Sequence, residues 1–70
     1  MTVTLADVSA LATLGIVQEL EAQGIMRDTD FTFAYHHYTV NDKGYVVKPR
    51  YAEFTFPDDT LGIWFQLKYG

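Results

Sequence analysis

Two adjacent histidines, His36 and His37, have the clearest capacity for chemistry in this chain, because an imidazole can bind a metal or transfer a proton near neutral pH. They lie in a segment of alternating polarity that predicts a β-strand, where neighbouring side chains point to opposite faces. The pair therefore cannot bind one ion together, and zinc needs three or four ligands. We interpret Tyr35-His36-His37-Tyr38 as amphipathic surface and expect no metal ion and no cofactor.

A carboxylate, Glu53, offers a second kind of chemistry, since it could form an acid–base pair with a histidine of the neighbouring strand. General acid–base catalysis also needs a pocket, and a small sheet with one helix leaves little room for one. We therefore predict no catalytic residues and a non-enzymatic protein. One alternative stays open: a small-ligand-binding or enzymatic module whose pocket forms between subunits. Its polar groups would be His36, His37, Glu53 and Tyr51.

Two acidic clusters, Asp28-Thr29-Asp30 and Asp58-Asp59-Thr60, hold closely spaced oxygen ligands. Neither has the length or the glycine pattern of an EF-hand loop, so we interpret both as turn sequences. A further alternative follows from the acidity of the chain, namely a nucleic-acid mimic that occupies the DNA-binding groove of a partner. That alternative predicts one contiguous surface formed by Glu19, Glu21, Asp28, Asp30, Asp58 and Asp59.

Length and cysteine content bound the architecture. Seventy residues predict a single domain, residues 1–70, and a chain this short buries only about 60% of the surface that its unfolded form exposes. Domains of this size commonly need disulfides, a metal or oligomerisation, and the absence of cysteine excludes the first. With no secretory signal pattern at Met1-Thr2-Val3-Thr4, we expect a cytoplasmic protein.

The charge balance argues against two classes of partner. Five basic residues against nine acidic ones give a net charge of −4, whereas nucleic-acid binders usually carry clustered cations. No segment combines an amphipathic helix with many Lys or Arg residues, and no apolar run approaches the roughly 18 residues that span a bilayer. We therefore expect neither nucleic acid nor membrane as a partner.

Helical signals occupy the first third of the chain. Thr4 is a suitable N-cap, and Gly24 is a C-terminal signal that would pair Leu20 with Ile25 in a Schellman motif. These signals predict one helix over about residues 5–23. Gly15 lies in its middle, so we expect the helix to bend or split there, or another segment to pack closely against it. The apolar residues extend around most of the helix, which is typical of burial on more than one side.

Alternating residues predict three strands in the rest of the chain, at Phe31–Val40, Tyr45–Phe56 and Leu61–Tyr69. Asn41-Asp42-Lys43-Gly44 resembles a type I turn closed by a glycine bulge. The apolar phase of the second strand switches near Pro49, which predicts a bulge or bend there because proline cannot donate to a ladder.

These elements give an α+β fold in which one N-terminal helix packs on a three-stranded antiparallel β-meander. We expect Ile63, Phe65 and Leu67 to face the helix. Trp64, together with some of Phe33, Tyr35 and Tyr51, should lie on the opposite face of the sheet. One helix cannot cover both faces, so the second face predicts self-association, because a large exposed apolar patch marks an interaction surface.

The expected function is that of a small protein–protein interaction module that forms a homodimer and binds an unidentified protein target. Small acidic proteins without cysteine also occur among phage and mobile-element products that inhibit or redirect host machinery, which is an analogy from size and composition. Aromatic residues and arginine dominate interface energetics. The candidate interface residues are Trp64, Tyr35, Tyr51, Arg50 and Phe33.

Overall fold

The chain forms an α+β fold in a computed structural model that describes residues 1–70. The α+β class and the antiparallel pairing agree with the sequence prediction, whereas the number of helices and strands differs from it. In chain order the elements are β1 Thr2–Ala6, α1 Ala10–Ala22, β2 Thr32–His36, β3 Thr39–Val40, β4 Val46–Lys48, β5 Tyr51–Thr55 and α2 Asp59–Tyr69.

A three-stranded antiparallel sheet has β5 in its centre, flanked by β1 and β2. Phe54 pairs with Val3 on one side and with Phe33 on the other, so these side chains share a face. The preceding residue, Glu53, belongs to the opposite face and pairs with Thr4 on β1. The outer edges of β1 and β2 have no partner strand.

The prediction that a helix begins after Thr4 is wrong, because residues 2–6 form β1. Val3 and Leu5 are buried while their neighbours are exposed, which is the alternation of a half-buried strand. The helix begins at Ala10 instead, where Ser9 is the N-cap and its Oγ accepts a hydrogen bond of 3.0 Å from the Ala12 N–H.

The predicted end of the first helix is confirmed. Gly24 has a φ of 85°, its N–H donates to the Glu21 carbonyl, and the Ile25 N–H donates to the Leu20 carbonyl. These two bonds are the Schellman pair. The expected bend or close approach at Gly15 is not found, because α1 is continuous and a Cβ added there would meet nothing within 4 Å.

The predicted third strand, Leu61–Tyr69, is helical. Asp58 is the N-cap of α2, and its side chain accepts a hydrogen bond of 2.8 Å from the Thr60 N–H. Leu61, Phe65 and Tyr69 recur at every fourth position and pack on the core, whereas Ile63 and Leu67 are exposed. The sequence alternates as a strand would, but every second residue of its apolar set lies on the buried face of a helix.

Both helices pack on one face of the sheet, which gives two layers and one core. Val17 and Leu20 enter the core from α1 and Phe65 enters it from α2. The strands and loops add Val3, Leu5, Phe31, Ala52, Phe54 and Phe56. The other face of the sheet, here called the open face, carries threonines and alanines together with three larger polar or aromatic residues. Its residues are Thr2, Thr4, Ala6, Thr32, Ala34, His36, Tyr51, Glu53 and Thr55.

The break predicted near Lys48-Pro49-Arg50 is confirmed, because it separates β4 from β5. The first half pairs with β3 and the second with β2, as a bent hairpin requires. The expected pairing of the second half with strand three is wrong, since α2 replaces that strand and β1 takes its place. Residues 37–49, here called the arm, leave the sheet and extend a molecule of 44 × 20 × 19 Å.

Candidate functional site

The arm combines complete solvent exposure with several large apolar residues close together in sequence. All of residues 37–49 are exposed to solvent. Five of them are large apolar residues that are 48–69% exposed. They are Tyr38, Val40, Tyr45, Val46 and Val47. A cluster of this kind marks an interaction surface more often than scattered exposed leucines do.

Local hydrogen bonds fix the tip of the arm. The Asn41 side-chain oxygen accepts hydrogen bonds from the backbone N–H groups of Lys43 and Tyr45, at 2.9 and 3.1 Å. The Asn41 N–H donates to the Tyr45 carbonyl, and Gly44 has the positive φ of 81° that the sequence predicted. The tip therefore presents Lys43 and Tyr45 from a defined turn.

Contacts with the end of β1 hold the base of the arm. The Asp7 N–H donates to the Arg50 carbonyl at 2.9 Å, and Arg50 Nε lies 3.3 Å from Asp7 Oδ1. Asp7 has a φ of 54°, a left-handed conformation that aspartate tolerates better than most residues. The exposed ion pair itself contributes little, about 0–1 kcal/mol. The backbone bond and Pro49 instead set the direction in which the arm leaves the sheet.

His36, Glu53 and Tyr51 meet on the open face. His36 Nε2 lies 2.9 Å from Glu53 Oε1, although the atoms are not aligned as a hydrogen bond. The imidazole stacks on the Tyr51 ring at a centroid distance of 4.4 Å. His37 lies apart from them, edge-on to Tyr35 at 5.0 Å. No cavity lies at this cluster, so within one chain it cannot enclose a substrate.

The molecule has one open groove, of about 460 Å³, between the end of α1 and the beginning of α2. Apolar side chains form half of its lining, and Asp58 adds a carboxylate. The lining residues are Gln23, Ile25, Asp58, Thr60, Leu61 and Trp64. The ammonium group of Lys68 lies 5.3 Å from the centroid of the Trp64 ring, within the range of a cation–π contact.

A second ion pair joins the two helices. Lys68 Nζ lies 3.1 Å from Glu19 Oε1. This contact holds the pKa of Glu19 below its usual value and raises the pKa of Lys68. Burial raises the pKa of the neighbouring Tyr69 hydroxyl. These groups stabilise the contact between the helices and do not form a cavity.

The five predicted interface residues do not share one surface. Phe33 and Tyr35 lie half-buried against the core, because the helices cover their face of the sheet. The Tyr35 hydroxyl donates to the Val8 carbonyl at 3.1 Å, and Phe33 stacks on Phe54 at 5.8 Å. The expectation that Phe33, Tyr35 and Trp64 lie on the face opposite the helix is therefore wrong.

The other candidates occupy three separate places. Tyr51 lies on the open face, Arg50 lies at the base of the arm, and Trp64 lines the groove on α2. Whether any of the five residues contacts a partner stays a prediction. The sequence analysis missed the apolar side chains of the arm as interface candidates. The available signal was the change of apolar phase at Pro49, since residues that leave a sheet lose its cover.

The six acidic residues of the nucleic-acid-mimic alternative belong to different elements, although four of them lie at one end of the sheet. Asp28 and Asp30 lie in the connection between α1 and β2, and Asp58 and Asp59 lie at the beginning of α2. Glu19 is paired with Lys68 instead. No group of three His, Asp or Glu side chains has the geometry to hold a metal ion. Neither helix is long and apolar enough to cross a lipid bilayer.

Neither a protein-family model nor a curated protein nor a solved structure matches this chain. A functional proposal must therefore be based on the geometry and chemistry of these surfaces.

Proposed function

We propose that the chain is a small non-enzymatic protein–protein interaction module whose binding element is the arm. One observation carries this proposal, namely that residues 37–49 are all exposed while five of them are large and apolar. Water-exposed loops are normally polar, so an extended apolar hairpin without cover is best explained by a partner that covers it.

The weak internal support of the arm strengthens this interpretation. Only two residue pairs join β3 to β4, Thr39 with Lys48 and Val40 with Val46, and a bulge lies between them. An isolated two-stranded hairpin is marginally stable in water. A partner that packs against the arm would supply the cover that the hairpin lacks.

Burial of the apolar residues of the arm is not sufficient by itself for stable association. Completing the burial of five half-exposed side chains yields on the order of 5 kcal/mol, because full burial of one large apolar side chain yields about 1.5–3 kcal/mol. Association costs about 4–15 kcal/mol in lost freedom. The arm therefore needs additional contacts, which the exposed backbone of β3 and β4 and the lysines Lys43 and Lys48 can provide.

The non-enzymatic part of the proposal is supported by the open face. His36 and Glu53 are the polar pair best placed for acid–base chemistry, and they lie half-buried on the open face with no cavity beside them. By analogy of size and composition, the proposed partner class includes a component of host machinery inhibited by a phage or mobile-element product. A cytoplasmic location remains part of this proposal.

Site-specific crosslinking tests the proposal. A photoreactive phenylalanine analogue replaces Tyr45 in one protein and Thr4, on the open face, in a second protein. After illumination of cells that express each protein, we expect crosslinks to other proteins from position 45 and few from position 4. Excess unmodified chain should suppress the adducts, and excess of the Tyr45→Thr/Val47→Thr variant should not. Adducts from position 4 alone, or equal yields from both positions, would place the binding surface elsewhere.

A further inference from the structure

The long axis of the molecule has chemically different ends. His36 pairs with Tyr51 where the arm begins, and Thr32 pairs with Thr55 at the other end of the sheet. The amino group of Met1 donates to the Phe56 carbonyl at 2.7 Å and lies 3.6 Å from Asp59. The end opposite the arm, here called the acidic end, therefore contains residues 23–31 and 56–61 together with the N-terminus.

The two ends carry opposite charge. The arm holds two lysines, Lys43 and Lys48, against one aspartate, Asp42. The rest of the chain holds three basic residues against eight acidic ones. Four carboxylates lie at the acidic end, with Arg27 and the N-terminal ammonium as the only cations there. They belong to Asp28, Asp30, Asp58 and Asp59.

The acidic end also offers an apolar surface. The groove lies there, because Gln23 and Ile25 line it from the end of α1, and Leu61 and Trp64 line it from α2. Its apolar lining suits the apolar residues of the arm, such as Tyr45. The carboxylate of Asp58 suits a lysine of the arm, such as Lys43, two residues before Tyr45. An apolar basic hairpin and an apolar acidic groove are complementary in both respects.

We propose that two copies of this chain associate side by side in antiparallel orientation, with the arm of each copy against the acidic end of the other. This inference rests on the proposed role of the arm as the binding element and names a second copy as its partner. An antiparallel pair is related by a two-fold axis, so both arms and both grooves are used and the assembly closes as a dimer.

The dimensions are compatible with this arrangement. One strand of the arm, residues 37–43, spans at most about 23 Å when fully extended. This is about half of the 44 Å length of the molecule, so an arm can overlie the body of an antiparallel neighbour. A parallel pair would place the two basic arms together and leave both acidic ends uncovered.

Charge reversal in two complementary variants tests the inference. The arm variant carries Lys43→Glu and Lys48→Glu. The groove variant carries Gln23→Lys, Thr29→Lys and Thr60→Lys, at exposed neutral positions of the acidic end, so that its cations outnumber its four carboxylates. In the arm variant both ends are acidic, and in the groove variant both ends are basic. The matched control carries Ala12→Lys, Gln18→Lys and Gln66→Lys, at exposed helix positions outside the acidic end.

Light scattering across a concentration series gives the mass of each protein, and circular dichroism confirms that each is folded. We expect the unmodified chain and the control to dimerise, and each charge variant to associate about tenfold or more weakly. An equimolar mixture of the arm and groove variants should restore the dimer, because both arm–groove contacts then join opposite charges.

Three results would overturn the inference: an unmodified chain that remains monomeric, charge variants that dimerise normally, or a mixture that stays monomeric. Growth of the mass beyond a dimer would also overturn it, since head-to-tail contacts form open chains. These failures are distinguishable from failure of the proposed function. If Tyr45 crosslinks to a different protein while the chain is monomeric, the arm is still the binding element and only the antiparallel pair is wrong.

Discussion

At the scale of single residues, the glycine in the middle of α1 has no structural partner. A Cβ at Gly15 would meet nothing within 4 Å, and the residue is exposed. Glycine in a helix interior costs about 1 kcal/mol relative to alanine, because it loses more backbone entropy on folding. The position is therefore suboptimal for the isolated chain.

We expect Gly15→Ala to raise the free energy of unfolding by about 0.5–1 kcal/mol, measured by urea denaturation. The matched control is Gly24→Ala, which changes the same residue types at a φ of 85° in the Schellman motif. That change should lower the free energy of unfolding by about 1 kcal/mol, since alanine is strained in the left-handed region. Destabilisation by Gly15→Ala would mean that α1 is not the continuous exposed helix described above.

The ion pair between the helices makes a pH-dependent contribution at the same scale. Because Lys68 lowers the pKa of Glu19 from its usual 4.5, this contribution is present above that value and is lost as the pH falls through the lowered pKa. Because Glu19 raises the pKa of Lys68 from its usual 10.5, the contribution is lost again as the pH rises through the raised pKa.

We therefore expect Glu19→Gln to destabilise the protein most between about pH 5 and pH 10, with an effect that decreases as the pH falls below 4.5. Urea denaturation of both proteins across this range measures the difference. The effect is small because the pair is exposed. Glu21→Gln is the control, since Glu21 has no ion-pair partner among the contacts described. An equal loss at pH 3 and pH 7 would exclude the ion pair as the cause.

At the scale of elements, the sequence predicts turns and helix ends correctly, whereas the spacing of apolar residues does not distinguish helix from strand. Gly24 and Leu20 define the end of α1, and Asn41 with Gly44 defines the tip of the arm, because each motif depends on residues close in sequence. The break at Pro49 was predictable for the same reason.

The misassigned elements have ambiguous patterns. Leu61, Phe65 and Tyr69 fit a helical face, but with Ile63 and Leu67 they also alternate as in a strand. Asp58 is the N-cap of the helix. In the sequence, however, Asp58-Asp59-Thr60 also resembles a turn, so the cap does not identify the helix. Whether Phe33 and Tyr35 are exposed depends on which face of the sheet the helices cover. The sequence of a strand alone does not specify that face.

Exposure of the arm predicts that its apolar residues contribute little to folding. Val47 is 58% exposed and Val3 is 4% exposed. We expect Val47→Thr to change the free energy of unfolding by less than about 0.5 kcal/mol. The same substitution at Val3 should cost about 1–3 kcal/mol, because it buries a hydroxyl without a partner. Comparable losses in a monomeric sample would indicate that the arm packs on the body of its own chain.

At the scale of the whole molecule, the shape is elongated and its two ends carry opposite charge. The core and both helices lie in a body from which the arm projects, and none of the buried residues belongs to the arm. The core therefore lies in one part of a short chain, and the arm that we propose for binding lies in another. A 70-residue domain has little core to spare, so burial of the arm in an assembly would add stability that the monomer lacks.

The arm can also be removed without touching the core. Because His36 pairs with Tyr51 across the sheet, an Asn-Gly turn in place of residues 37–50 would connect β2 directly to β5. The shortened chain keeps every buried residue and both helices, and it loses the Asp7–Arg50 contacts at the base and the contact of His37 with the Tyr35 ring. We expect its circular dichroism spectrum to retain the helical signal of the full chain.

The most direct measurement is the absolute molar mass of the full and shortened chains by light scattering over the same concentration range. The full chain should rise from 8.0 kDa towards twice that mass, and the shortened chain should remain monomeric at every concentration. A full chain that stays at 8.0 kDa, or two proteins that dimerise equally, would contradict association through the arm.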